Sequence, residues 1–345
     1  MTLPAAKISI PEALAADLEA FPADPFPGEA IPIASGASGR RFFRILRGEQ
    51  TRVLMAYPPE PHENLLFSAI GHALRAEKIP VPKILSENRE RGWVWLEDLG
   101  ERDLYSAREE KSERLLYYDQ ALETLHRIQQ LPEDLFADRD IETLPGFDQE
   151  LYQFEQRYFR HELVDRLAPN FPIPATLEVE MKELETRLIS KPTTWVHRDF
   201  QSKNLMIDLE GRIRVVDFQG IRRGHRYYDL ASLLCDPYVN LPADERQQNF
   251  EDFCQLSSLS PQEEQKDFSS ACCQRLMQAL GAYGRFGLGG RVEFFQTKIP
   301  VALALLQSSA NEAQLPGLAH LAGQLKNLDL PATAQVPEVK PVPRK

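Results

Sequence analysis

"WVHRDFQSKN" (195–204) is followed, thirteen positions after its last residue, by "DFQ" (217–219). The first stretch ends a short apolar run, "TTWV", and the intervening "NLMIDLEGRIRVV" reads as two short strands around an Asp-Leu-Glu-Gly turn. His197, Asp199 and Asn204 stand in the spacing H-x-D-x-x-x-x-N, and Asp217 follows the hairpin. Transfer of a phosphoryl group asks little covalent chemistry of a protein. It needs a carboxylate to orient the attacking hydroxyl, and oxygen ligands for a magnesium ion that bridges the phosphates. The spacing therefore predicts Asp199 as the base, Asn204 and Asp217 as metal ligands, and His197 as structural support for the loop. "HRD" or "DF" alone is common; their order, and the strands before and between them, carry the reading.

Working outward, the chain of 345 residues is 43% hydrophobic and 26% charged, enough to bury a substantial core. A formal net charge of -11 argues against a general binder of nucleic acid or anionic membrane, which needs a basic footprint. The four cysteines, Cys235, Cys254, Cys272 and Cys273, show no CxxC pairing and no histidine at ligand spacing, so they read as buried thiols. The first residues, "MTLPAAKISIPEALAADLEAF", lack the basic and apolar blocks of a secretion signal. No stretch approaches the roughly 20 apolar residues of a membrane span. A cytoplasmic monomer is expected, with no nucleic-acid or membrane partner.

Residues 10–21 carry an apolar stripe at helical spacing and end in a proline-rich connection. From residue 31, "IPIASGASGRRFFRIL" and "TRVLMAY" predict an antiparallel meander; a helix follows through Leu65, Leu66, Ala69, Ile70 and Leu74, then "IPVPKIL" and "GWVWLEDL" as two more strands. Past residue 110 the pattern turns helical. "SERLLYYDQALETLHRIQQL" places Leu115, Tyr118, Leu122 and Leu125 on one face, with Ser112 as a candidate cap and His126 as a packed or surface histidine. Further helices are expected over 148–167, over 177–189 and from 228 on. The Gly-rich "GAYGRFGLGGRVEFF" (281–295) follows a helix, has no strand before it and reads as a helix-capping turn. The expected division is a β-rich lobe at 1–99, a helical part at 100–330 and a disordered, proline-rich tail at 331–345.

With these motifs in hand, the sequence resembles the aminoglycoside phosphotransferase and choline kinase family over roughly residues 30–310. "GASGRRFFR" (36–44), "WLEDLG" (95–100), "HRDFQSKNLM" (197–206) and "VVDFQGIRRGHRYYDLASLLCDPYV" (215–239) look most like the bacterial anomeric kinases of N-acetylmuramate and N-acetylglucosamine in cell-wall recycling. The resemblance implies an α+β, two-lobed protein-kinase-like fold with a small β-rich N-lobe and a larger, mostly helical C-lobe. It implies ATP and Mg2+, and a sugar phosphorylated at its anomeric hydroxyl.

The resemblance also distributes roles. Ser35, Gly36, Ala37 and Ser38 would lie over the nucleotide phosphates, and the backbone of Glu97 and Leu99 would hold adenine. Met55 stands where kinases carry a phosphate-binding lysine, so Arg41 and Arg44 are the candidates for that contact. Gln219, Arg223, Asp236 and Glu155 are candidates for the acceptor, and Asp229 for either the acceptor or a brace of the loop. The alternatives carried forward are an aminoglycoside or choline-type kinase, and a nucleotide-binding pseudokinase acting as an interaction module.

Overall fold

β1 (Glu29–Ile33), β2 (Arg41–Arg47) and β3 (Gln50–Ala56) run antiparallel, and Gly48 takes the φ of +59° that the tight turn between β2 and β3 requires. β4 (Ile84–Asn88) and β5 (Trp93–Glu97) complete a five-stranded antiparallel sheet in the order β1-β2-β3-β5-β4. β6 (Thr193–Val196) pairs antiparallel with β9 (Arg222–His225), and β7 (Leu205–Ile207) with β8 (Ile213–Val215). This is a computed structural model that describes residues 29–33, 39–169, 171–288 and 293–328. The expected helix at 10–21, the phosphate loop at 35–38 and the tail at 331–345 lie outside the described residues.

The chain divides into two compact units. Among the described residues the first runs through Arg102 and adds Asp134–Leu144 and Met206–Gly220. The central strands β3 and β5 are buried on both faces along most of their length, and on one of those faces Ala30, Ile45, Leu54, Ala56, Trp93 and Trp95 form one apolar cluster. Helix α1 (Glu63–Ala76) turns Leu66, Phe67, Ile70, Ala73 and Leu74 inward. Phe67 stacks on Phe218 with ring centroids 4.7 Å apart, and a Cβ added at Gly71 would come within 3.0 Å of the same ring. Residues 206–220 join this unit although a linear division at residue 99 puts them in the second. The reason is hydrogen bonding: Val215 N–H donates to Pro80 O at 2.8 Å, Ile207 N–H to Arg102 O at 2.8 Å, and Arg214 Nη2 to Val81 O at 3.0 Å.

The second unit comprises Asp103–Glu133, Pro145–Leu205 and the chain from Ile221 on, and is mostly helical. α2 (Lys111–Gln129) buries Tyr117, Tyr118, Ala121, Leu122, Leu125 and Ile128, while Leu115 is exposed. Its cap is the Glu110 side chain, which accepts from Ser112 N–H; Ser112 is not the cap itself. α3 (Gln149–Phe159), capped by Asp148, continues into a π-helical turn, Arg160–Val164. α4 (Leu177–Ile189) and α5 (Tyr227–Leu234) are followed by α6 (Ala243–Leu256), α7 (Pro261–Tyr283), α8 (Glu293–Glu312) and α9 (Pro316–Lys326). Tyr227, Phe250, Phe253 and Phe268 meet edge to face or stacked within the unit.

α7 does not end in a capping turn at Gly284, as its glycines suggested. It continues as a second π-helical turn, Gly284–Leu288, packed against the first. All four cysteines are buried free thiols. Among the described residues no helix is long and apolar enough to cross a membrane.

Gly284 is required by close approach, because an added Cβ would stand 2.2 Å from the Glu162 carbonyl oxygen. Gly284→Ala is expected to destabilise the fold by about 1–3 kcal/mol, the usual cost of overpacking, as read by urea unfolding. Unchanged stability would show that the two π turns do not interlock.

Candidate active site

In the second unit the 197–204 loop hangs from two buried carboxylates. Asp229, in the first turn of α5, accepts the backbone N–H of His197 at 2.5 Å and of Arg198 at 2.8 Å. Arg198 has φ +81°, a left-handed conformation that a non-glycine residue adopts only when its surroundings impose it. Asp236, just beyond α5, accepts Ser202 N–H at 2.9 Å, Ser202 Oγ at 2.5 Å and Tyr238 N–H at 2.8 Å. His197 is buried, and its Nδ1 accepts from Asp199 N–H at 3.3 Å. Asn204 Nδ2 donates to the Asp199 carbonyl at 2.9 Å, which leaves the amide oxygen as its ligand atom.

What remains of the loop is the Asp199 carboxylate, whose side chain is 34% exposed, with Arg275 Nη2 3.4 Å from Oδ1. Burial pushes its pKa up, but the charges of Arg198, Arg275, His197 and Arg222 outweigh that and hold it below the usual carboxylate value. Asp199 is therefore an ionised acceptor throughout the neutral range.

In the first unit Asp217 has φ +64°, and its carboxylate accepts from Gln219 Nε2 at 3.0 Å and from the Arg40 guanidinium. Arg40 is 5% exposed and sits directly before β2. The sequence reading passed over it in favour of Arg41 and Arg44; the signal available was the Arg-Arg doublet after Gly39, whose members point to opposite faces of an extended strand. Gln219 is buried, and its Oε1 has no hydrogen-bond partner among the described residues. Met55 is fully buried opposite Phe42.

Several expected roles need correction. Arg44 is not available for phosphates: Nε and Nη2 bind Asp98 at 2.6 and 3.1 Å, Nη2 also donates to Gly100 O at 2.9 Å, and Nη1 pairs with Glu101. Its partner Asp98 is partly buried, which raises its pKa, but the Arg44 bond and the Gly100 N–H bring the net value down. Arg41 is exposed at the start of β2. Glu97 N–H is bonded to Lys83 O at 3.0 Å and its carboxylate pairs with Arg214, which confines any adenine contact of this residue to its carbonyl; Leu99 is buried beyond the end of β5.

Among the acceptor candidates, Asp229 and Asp236 spend their oxygens on backbone N–H groups and act as braces. Glu155 is 1% exposed and accepts from Tyr228 Oη at 2.7 Å and Gln274 Nε2 at 2.9 Å, a packed polar network inside the unit. Arg223 Nη2 donates to Thr193 O at 2.6 Å across the β6–β9 ladder, and the side chain also pairs with Glu133. Among the described residues, the buried polar atom of these candidates left without a partner is Gln219 Oε1.

Among the described residues no three His, Cys, Asp or Glu side chains form a metal cage. Magnesium bound with a nucleotide does not need one, since one or two protein oxygens suffice and phosphates and water supply the rest. The Asp217 carboxylate, which already holds a guanidinium, and the Asn204 amide oxygen have the hard-oxygen chemistry such an ion takes.

Burial pushes the Asp229 carboxyl up to about 6, against the lowering effects of His197 and the two N–H bonds. Between the ordinary carboxylate value and about 6 the folded chain holds a proton that the unfolded chain has released. This group's contribution to stability therefore falls as pH rises through that window. Asp229→Asn, which cannot titrate, is expected to cost stability most near pH ~4.5 and less at pH ~7, by on the order of 2 kcal/mol between them in urea unfolding. A cost that grows with pH would contradict the buried, proton-holding brace.

With this geometry described, comparison with known proteins is informative. The phosphotransferase enzyme family (APH) matches residues 29–262. A curated N-acetylmuramate/N-acetylglucosamine kinase of Pseudomonas aeruginosa is 28% identical over 63% of this chain and 62% of its own length. Its counterpart in Pseudomonas putida is 32% identical over 62% of this chain and 62% of its own length. The matches thus span less than two thirds of these relatives. Among solved structures, a choline/ethanolamine kinase family protein from Mesorhizobium loti superposes with a TM-score of 0.62 at 12% identity, covering 91% of this chain and 99% of that one. The fold is the protein-kinase-like one, an antiparallel N-terminal sheet with a larger helical part, and the chain belongs to the APH phosphotransferase enzyme family.

Proposed function

We propose that the protein is an ATP-dependent kinase that phosphorylates the anomeric hydroxyl of an N-acetylated amino sugar. The observation that carries the reading is the 197–204 loop. Two buried carboxylates fix its backbone, and the one carboxylate left outward, Asp199, is kept ionised by surrounding positive charge. Family membership and the names of the two Pseudomonas relatives support the reaction class and the acceptor.

In this reading Asp199 accepts the proton of the sugar hydroxyl as its oxygen attacks the γ-phosphorus and ADP leaves. An anomeric hydroxyl is more acidic than an ordinary alcohol, so a weak base suffices. Asn204 and Asp217 each offer an oxygen that would serve magnesium, an ion that would neutralise phosphate charge and orient the transferred group. Arg40 takes the place of the lysine absent at Met55, matching Asp217 in the free protein and contacting phosphate oxygens when nucleotide is bound. Gln219 offers its unused oxygen to a ligand hydroxyl.

An aminoglycoside or choline acceptor is cationic and calls for carboxylates with free oxygens. Asp229, Asp236 and Glu155 have theirs engaged, and the side chain beside Asp199 is Arg275. The interaction-module reading drew on Met55 and the proline-containing tail; Arg40 beside Asp217 supports the kinase reading over it.

Incubation with Mg-ATP and a panel of amino sugars, followed by phosphorus NMR, is expected to yield sugar 1-phosphate. Asp199→Asn should lower turnover by ~10²-fold or more while leaving Mg-ATP affinity within a few-fold. Turnover unaffected by this change removes Asp199 from its role.

Arg40→Ala is expected to weaken Mg-ATP binding by ~10-fold or more in isothermal titration, the value of one charge-assisted hydrogen bond, with Arg40→Lys intermediate. The KM for sugar should change little. Equal Mg-ATP affinity in all three proteins overturns the phosphate assignment.

A further inference from the structure

Within the second unit, Cys235 stands at the C-terminal end of α5 and Cys272 inside α7, and their sulfurs are 3.3 Å apart. Both side chains are buried, and so are Cys254 and Cys273. The two thiols of the pair are not equivalent. The hydrogen bond with Cys272, helped by the charge of Arg246 and by Ser309, holds Cys235 below the ordinary thiol value against the opposing effect of burial. Burial, reinforced by Cys235, pushes Cys272 well above that value. The thiolate is the nucleophile in thiol chemistry, so Cys235 is the member of the pair suited to attack. Cys235 also borders a small, partly open recess that it shares with Gln201, Ser232, Pro237 and Arg275, with room for about one water molecule.

We propose that Cys235 and Cys272 form a redox-active dithiol that hydrogen peroxide closes to a disulfide, loosening the brace of the 197–204 loop. The modification site stands apart from the kinase reading, and only its effect on turnover rests on that reading. The Cys235 thiolate attacks one oxygen of the peroxide; an S–O bond forms, the O–O bond breaks, and the departing hydroxide takes up the proton that Cys235 lost, leaving as water. The product, a sulfenic acid on Cys235, faces the Cys272 sulfur. Cys272 attacks it, the S–S bond forms, the S–O bond breaks, and the oxygen leaves as a second water with the Cys272 proton. Two thiols and one peroxide thus give one disulfide and two waters. An S–S bond is about 2 Å long, so closure moves the sulfurs together by on the order of 1 Å. Cys235 adjoins Asp236, whose carboxylate holds Ser202 N–H and Oγ, and Cys272 lies one turn before Arg275, which reaches Asp199 at 3.4 Å. The displacement therefore arrives at both the brace of the loop and the cation beside its outward carboxylate.

The test uses the full-length wild-type chain and needs no variant. The protein is exposed to a small molar excess of hydrogen peroxide, unfolded in N-ethylmaleimide to cap the remaining thiols, digested and read by mass spectrometry. The expected product is a peptide pair joined through Cys235 and Cys272, two hydrogens lighter than the reduced pair, with Cys254 and Cys273 alkylated. In the oxidised protein, hydrogen exchange of the peptide carrying Ser202 is expected to quicken by ~10-fold or more, and dithiothreitol to reverse it. With Mg-ATP and N-acetylglucosamine, kcat is expected to fall reversibly by ~10-fold or more, the scale of a small misplacement near the reacting groups. Cys235 and Cys272 both alkylated, or all four cysteines oxidised alike, overturns the site. A cross-link that leaves Ser202 exchange unchanged overturns its coupling to the loop. A reduced protein that phosphorylates no amino sugar overturns the kinase reading, while the thiol and exchange results decide the dithiol independently.

Discussion

Two backbone N–H groups converge on one buried carboxylate, and the candidate site follows from that. Asp229 holds His197 and Arg198, the second of them at a positive φ that an arginine does not choose. Such a conformation costs on the order of 1–3 kcal/mol, and a hydrogen bond to a charged acceptor returns a comparable amount. The exchange is close to even in free energy but decisive in geometry. With His197 and Arg198 fixed, the backbone that carries the following residue, Asp199, is fixed as well. Asp236 repeats the device at Ser202, so the loop is held at both ends by carboxylates belonging to or just following one short helix, α5.

A second theme is the reassignment of arginines. Three, Arg40 just before β2 and Arg41 and Arg44 within it, lie near the place where a lysine is missing, and each does something different. Arg44 ties the strand to Asp98 and Glu101, Arg41 faces outward, and Arg40 meets Asp217. Arginine suits all three environments because its charge persists under burial and its fork binds carboxylates from several directions. Charge counts along a strand do not distinguish such roles. Partners more than fifty residues away do.

The fold was legible wherever periodicity was strong. The 177–189 helix, the meander through Arg47 and Ala56, and the hairpin after Asn204 follow from apolar spacing and turn residues. β9 was not, because "RRGH" has neither alternation nor a β-branched residue and becomes a strand only by pairing with β6. The π turn at Gly284 was misread for a related reason: a glycine that ends a helix and one that admits a neighbouring backbone look alike in a sequence. At the site, residue types in a tight motif were readable, and tertiary partners were not. Asp236 and Glu155 looked like ligands because acidic residues near a motif usually face outward, and Asp229 read as either ligand or brace, yet each is buried on donors that the linear chain does not reveal. Arg40 and Arg275 were missed for the converse reason.

The Phe218 ring is fully buried, stacked on Phe67 and seated against Gly71 of α1. Its neighbour Asp217 therefore inherits its bearing from apolar packing as much as from hydrogen bonds. A perturbation that loosened α1 without touching any charged group, such as mild denaturant or a smaller side chain at Phe67, would register as uncertainty in where a carboxylate points. In this unit the greasy side of a helix serves as the mount on which an ionic instrument is aligned.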